Sequence, residues 1–250
     1  MIGVILAAGM AKRLRPLTDA CPKCLLKIGE RTLLERTVDA MIAAGINELV
    51  VVTGYRAEMI REFLTNHYLS PLDADPSPLK IHFIHNADYE HNNNIFSLWM
   101  TRPYTEGHSF LLSDSDILFD PQLIRAVLAA EGNALALNRH ECGEEEIKVI
   151  VDSNNHITAL SKTCSIEKAI GESVGFEKMT PEYSIALFRE LEQMIEREGL
   201  IDVFYERAFE RLIPQGHTFS IVDTTNYFSI ELDTPEDFEN ASQLIPAALC

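Results

Sequence analysis

The sequence predicts an α/β protein built on a mainly parallel mixed sheet with helices on both faces, and three observations carry that expectation. Apolar runs at residues 2–6 and at Glu48–Thr53 are short and unbroken, as strands covered on both faces are. Stretches of helical period separate successive runs, which supplies the crossovers a parallel sheet needs. The first run leads directly into a small-residue loop, Ala7-Ala8-Gly9-Met10-Ala11. On sheets of this kind ligands bind there, beyond the carboxyl ends of the strands.

Each element follows in order. After the strand at 2–6, Thr32-Leu33-Leu34-Glu35 reads as a capping box. The helix it opens carries Leu34, Val38, Met41 and Ile42 on one face and stops at Gly45. Glu48–Thr53 is the second strand, and residues 57–67 set Ile60, Phe63 and Leu64 on one helical face. Residues 70–78 hold three prolines and read as an irregular surface connection. Lys80–His85 and residues 109–113 are the third and fourth strands, and Asp120-Pro121 opens a helix. In the second half, Ala134–Asn138, residues 147–152 and Ile157–Ser161 read as strands, the last two joined by a turn at Asn154-Asn155. Thr180-Pro181 opens a long helix reaching Glu198-Gly199, and Asp202 is expected to cap a helix over 203–213. Strands at 218–222 and 227–232 and a helix capped by Thr234-Pro235 complete the chain. No repeat, low-complexity tract or compositional break divides it, so residues 1–250 read as one domain with a small substrate-side lobe.

Charge narrows the function. With 21 basic against 38 acidic residues the net charge is −17. Such a field repels nucleic acid and anionic membrane surfaces, so neither is an expected partner. Against it, Lys12, Arg13, Arg15, Lys23 and Lys27 stand out as a local basic cluster around the small-residue loop. Cys21 and Cys24 form C-x-x-C, but no second pair or histidine set completes a zinc site, and they read as reduced thiols. Residues 2–8 are too short for a signal peptide and no apolar run approaches a membrane span, so a cytoplasmic location is expected.

The loop and the cations after it point to phosphate. Ala7, Ala8, Gly9 and Ala11 leave backbone N–H groups open to a bound anion. Arg13 and Lys23 can neutralise it. The ordered segment Leu6-Ala7-Ala8-Gly9, Arg13, Pro16-Leu17-Thr18 and Pro22-Lys23 resembles the signature of nucleotidyltransferases that make nucleoside-diphosphate sugars and alcohols. Where that family often has a second glycine and Ser or Thr, this chain has Ala11 and Lys12. The segment Tyr89 to Leu98 is similar to part of the cytidylyltransferases acting on phosphocholine and related phosphonates. So are Asp114 to Phe119, Asp202 to Tyr205 and Ile230 to Asp237.

The resemblance implies a Rossmann-like fold of the nucleotide-diphospho-sugar transferase type. It implies a Mg²⁺-dependent enzyme that uses CTP and transfers CMP to a small phosphorylated or phosphonylated acceptor, with release of pyrophosphate. Phosphocholine, 2-aminoethylphosphonate and phosphoethanolamine are the acceptors it brings into view. A sugar-1-phosphate nucleotidylyltransferase is the alternative. A homodimer is possible, and the sequence leaves the oligomeric state open.

Site roles follow residue by residue. Arg13 is expected on the leaving phosphates and Lys23 on the α-phosphate and acceptor. Leu6, Ala7, Ala8, Gly9 and Lys12 are expected beside the triphosphate, and Gly54 and Tyr55 beside the base. Asp116 and Asp233 are the expected Mg²⁺ ligands, with Asp114 as the alternative to Asp116. Lys162, Glu172 and Tyr205 are expected at the acceptor, and Asn93 and Asn94 at the acceptor or the ribose. A choline-type cage needs aromatic faces. Trp99 is the single tryptophan, residues 144–149 contain none, and Tyr89, Phe176, Phe204 and Tyr205 are the aromatics left to contribute. Glu144, Glu145 and Glu146 offer a primary ammonium a partner instead.

Overall fold

The computed structural model describes residues 1–69 and 79–249. The proline-rich connection read at 70–78 lies outside them. The elements in chain order are β1 (Ile2–Ala7), β2 (Lys27–Ile28), β3 (Arg31–Thr32), α1 (Leu33–Ala43), β4 (Glu48–Thr53), α2 (Ala57–Tyr68), β5 (Lys80–His85), α3 (Asn94–Met100) and α4 (Arg102–Thr105). They continue with β6 (Phe110–Asp114), β7 (Ile117–Phe119), α5 (Gln122–Ala129), β8 (Ala134–Asn138), β9 (Lys148–Val151), β10 (Ile157–Ser161) and β11 (Gly171–Met179). The chain closes with α6 (Pro181–Glu192), α7 (Glu206–Leu212), β12 (Ser220–Asp223), β13 (Ser229–Glu231) and α8 (Pro235–Leu244).

Among the described residues the main sheet has nine strands, in the path β10-β9-β11-β6-β1-β4-β5, with β8 joining β11 to β12. β6, β1, β4 and β5 run parallel, as the alternating pattern predicts. β11 reverses direction: it is antiparallel to β6, β8 and β9. This nine-residue strand has no counterpart in the sequence reading, because Gly171-Glu172-Ser173-Val174-Gly175 lacks an apolar run. Its pairing with β8 slips between Ser173 and Glu177, and Gly175 sits in that bulge at φ +76°.

β1, β4 and β6 are buried on both sides, whereas the edge strand β5 is only partly covered. Val4, Leu6, Val50, Val52 and Leu112 pack under α3, α6 and α7 with Leu98, Leu187, Phe188 and Phe209. Ile5, Leu49, Val51 and Leu111 face Leu34, Val38, Ile60 and Ile124 of α1, α2 and α5. Burying one such aliphatic side chain is worth about 1.5–3 kcal/mol. A smaller cluster of Ile28, Leu33, Leu118, Leu232 and Ala241 anchors α8.

Several local readings shift. Thr32 Oγ1 accepts from the Glu35 N–H at 3.0 Å, but Glu35 pairs with Arg31 rather than closing the box. The full capping box is at Thr234 and Asp237. The long helix ends at Glu192 and continues as a π-helical turn over Gln193–Arg197. Asp202 caps nothing, since α7 starts at Glu206 behind an irregular stretch in which the Asn94 side chain accepts from the Tyr205 N–H at 2.9 Å.

Candidate active site

The carboxyl ends of β1 and β6 open into a cavity of about 340 Å³, bordered by Leu6, Ala7, Ala8, Gly9, Arg13 and Lys23 on one side. The loop after β1 is held by its surroundings. Ala11 takes the left-handed conformation (φ 47°), which costs a residue with a Cβ about 1 kcal/mol and explains why glycine suits this position. Thr18 Oγ1 donates to the Ala11 carbonyl at 3.0 Å, and the Tyr55 N–H donates to the Ala8 carbonyl at 2.9 Å. Gly54 lets this happen: a Cβ there would lie 2.6 Å from the Ala8 carbonyl oxygen and 2.8 Å from Tyr89 Cβ.

Asp116 and Asp233 lie far apart in the sequence and meet because β7 and β13 pair antiparallel, with Ile117 opposite Glu231. The Leu232 N–H then donates to the Asp116 carbonyl at 3.1 Å. Lys23, only 8% exposed, stands between the two carboxylates, donating to Asp116 Oδ2 at 2.9 Å and to Asp233 Oδ1 at 2.8 Å. Arg13 also pairs with Asp233. Burial pulls the Lys23 ammonium down, but the attraction of Asp116 and Asp233 outweighs it and holds the pKa above its usual value. For Asp233 burial pushes up, and Lys23 and Arg13 bring it below the ordinary range. Glu231 is pushed up to about 8 by burial and by repulsion from Asp116 and Asp233.

Asp116, Glu231 and Asp233 bring one ligand atom each within 4.8 Å of one another. Asp116 Oδ1 is buried without a hydrogen-bond partner. An orphaned carboxylate oxygen in an all-oxygen donor set fits a hard divalent cation.

The other wall comes from β11 and the loops beside it. Glu172, Ser173, Val174 and Gly175 border the cavity at the bulge, with Lys162, Glu145, Phe204 and Glu206. Lys162 Nζ lies 4.7 Å from the centre of the Phe204 ring and 3.6 Å from Glu145. The buried Lys148 ties down the loop that carries Glu145, donating to the carbonyls of Gly143 at 3.0 Å, Glu144 at 3.0 Å and Glu146 at 3.2 Å. Glu172 pairs with His140 at 2.9 Å.

Residues 3–211 match the MobA-like NTP transferase domain family. The chain belongs to that family. Over 254 aligned residues this MobA-like domain is 25% identical to CMP-5'-(3-aminopropyl)phosphonate synthase of Streptomyces rubellomurinus, covering 95% of the chain but 38% of that protein's length. It is 23% identical to CTP:phosphoglutamine cytidylyltransferase of Campylobacter jejuni, covering 93% of each. The solved CTP:phosphocholine cytidylyltransferase of Streptococcus pneumoniae shares the fold with a TM-score of 0.79 at 16% identity, over 98% of this chain and 99% of that one.

In this MobA-like domain not every expected residue reaches the cavity. Lys12 is exposed outside its border, and Gly54 and Tyr55 brace the loop from behind, with Tyr55 Oη donating to the Thr18 carbonyl at 2.8 Å. Tyr205 is fully buried, and so is Phe176, which packs on Phe119. Asn93 and Asn94 border the cavity, but Asn93 caps α3 and Asn94 holds Tyr205. Of Glu144, Glu145 and Glu146, only Glu145 lines it. Trp99 packs against Arg102 outside the border. Asp114 borders the cavity but turns away from Asp233 to accept from Tyr205 Oη at 3.0 Å. Glu206 and Glu231 had no assigned role in the sequence reading. Glu231 stands inside the Ile230-to-Asp237 segment, where the alternation of a strand places it two positions from Asp233 on the same face.

Proposed function

We propose that this domain is a Mg²⁺-dependent cytidylyltransferase that transfers CMP from CTP to a small phosphorylated or phosphonylated acceptor, releasing pyrophosphate. The observation that carries the reading is Lys23 held between Asp116 and Asp233 at the mouth of the small-residue loop. A cation so placed lies between the loop, where a triphosphate is received, and the wall that carries Lys162. The relatives supply the choice of CTP.

The reaction joins two anions. One pair of unit charges at 4 Å costs about 4 kcal/mol at an effective dielectric of 20, and a dianion meeting a triphosphate makes several such pairs. The protein must cancel that repulsion and hold the acceptor oxygen in line with the α-phosphorus. The loop N–H groups receive the phosphates. The Arg13 guanidinium, which can bind two oxygens at once, receives the leaving pyrophosphate. Lys23 exchanges its carboxylate partners for the α-phosphate and the incoming oxygen, and Lys162 receives the acceptor's anionic group. Asp116 and Asp233, with Glu231 beside them, hold the magnesium ion, which when bound offsets charge on the reacting phosphates. No side-chain nucleophile or general base is required, because the acceptor oxygen is already ionised.

Pyrophosphate release from CTP, UTP and dTTP, each with phosphocholine, 2-aminoethylphosphonate, phosphoethanolamine and glucose 1-phosphate, tests the reading. Turnover with CTP and an amino-alkyl phosphate or phosphonate is expected. Turnover confined to the sugar phosphate would replace this reading with that of an NDP-sugar synthase.

A further inference from the structure

The β11 side of the cavity gathers three carboxyl groups. Asp114 and Glu206 border it, and Glu177 is buried on β11 close enough to repel both. Among the described residues none of the three is in an ion pair. Glu206 is 6% exposed, and its Oε2 is buried without a hydrogen-bond partner, as is Glu177 Oε2. An orphaned carboxyl oxygen at such depth is costly, and a cation that brings its own hydrogen-bond donors would satisfy it.

Two kinds of cation fit poorly. A metal ion needs ligand atoms that converge, and the described carboxylates that converge are Asp116, Glu231 and Asp233, not these three. A quaternary ammonium has no N–H to donate and is held by aromatic faces. The aromatic residues on the border are Tyr89 and Phe204, and Lys162 covers the Phe204 ring. A primary ammonium fits: it is compact, and three N–H groups can reach an orphaned oxygen. Lys162, the cation that acts on Glu206, supplies the opposite pole of the same wall.

We propose that Glu206 is a specificity-determining residue of the acceptor subsite, receiving the primary ammonium of a zwitterionic phosphate or phosphonate whose anionic end lies toward Lys162. The subsite discriminates against a quaternary ammonium. The inference rests on the cytidylyltransferase reading above and adds the acceptor's second charge to it.

The test compares 2-aminoethylphosphonate, ethylphosphonate and phosphocholine as acceptors with CTP and Mg²⁺, for the wild-type protein and for Glu206→Gln. In the wild type, kcat/KM for the aminated phosphonate should exceed that for ethylphosphonate by about 10- to 100-fold, and phosphocholine should fall below the aminated phosphonate. Glu206→Gln should collapse the first ratio toward one, mainly through KM of the aminated acceptor. A wild type that treats the two phosphonates alike, or prefers phosphocholine, overturns the proposal while leaving cytidylyl transfer standing. A ratio retained in Glu206→Gln, with both acceptors slowed equally, also overturns it. Turnover of no acceptor with any nucleotide overturns the cytidylyltransferase reading itself. Should Glu206→Gln not fold, Glu206→Asp, which keeps the charge but shortens its reach, should lower the same ratio, and the wild-type comparison decides in its own right.

Discussion

Tyr205 Oη donates to Asp114 Oδ2 at 3.0 Å, and this bond separates the two aspartates of Asp114-Ser115-Asp116. Asp114 is buried, and burial together with the charges of Asp116, Glu206 and Glu177 pushes its pKa well above the carboxylate range, against the pull of the Tyr205 hydroxyl. Asp116, two residues on, joins Lys23 and Asp233. The expected outcome is a loss of about 100-fold or more in kcat for Asp116→Asn and of about tenfold or less for Asp114→Asn. Steady-state rates against Mg²⁺ concentration check this, and equal losses would place both aspartates at the metal.

On the proposed function, Lys23 and a divalent ion would compete for the carboxylates of Asp116 and Asp233. Lys23→Ala should therefore lower turnover by about 10²–10⁴-fold while tightening Mg²⁺ binding to the nucleotide-free protein. Isothermal titration with Mg²⁺ is the check. An unchanged or weaker affinity would mean that the ion is held elsewhere.

Gly54→Ala would put a methyl group 2.6 Å from the Ala8 carbonyl. Relief requires the loop after β1 to shift, at a cost of about 1–3 kcal/mol. The melting temperature should fall by roughly 2–10 °C and KM for the nucleotide should rise more than KM for the acceptor. A normal nucleotide KM would separate this contact from the loop's function.

Glu177 gives a pH dependence with a definite sign. Burial and the charge of Glu206 raise its pKa to about 8, while the hydrogen bond from Ser173 pulls the other way. The folded state thus holds a proton that the unfolded chain, with a pKa near 4.5, has released. Stability falls as pH rises from about 5 to about 8. Glu177→Gln removes the group that must ionise, so its melting temperature should exceed the wild type's by roughly 2–6 °C at pH 8, with a smaller gap at pH 5. Parallel wild-type and variant curves would show that Glu177 contributes nothing to the slope.

Strands with unbroken apolar runs were legible, and β4 coincides with its expected limits, as does β5, whose apolar residues are interrupted by His82. β11 was not, because its glycines and polar residues serve the bulge that borders the cavity rather than the core. Lys23, Asp116 and Asp233 were singled out through motif order; β13 falls inside the strand expected at 227–232, whereas its partner β7, three residues long, is too short to signal itself. Tyr205 was assigned to a ligand because its segment resembled a binding motif, whereas its ring is core and its hydroxyl serves Asp114. Glu206, its neighbour, carries no marker in sequence: an acidic residue opening a helix ordinarily answers the helix dipole.

Lys148 grips its neighbours through carbonyl oxygens, which every amino acid possesses. The identity of residue 145, the one of the three glutamates that borders the cavity, is therefore uncoupled from the shape its loop is held in. Substitution there can retune what the mouth admits while the anchor stays put, so a lineage keeping this one amine could diversify its diet without rebuilding its frame.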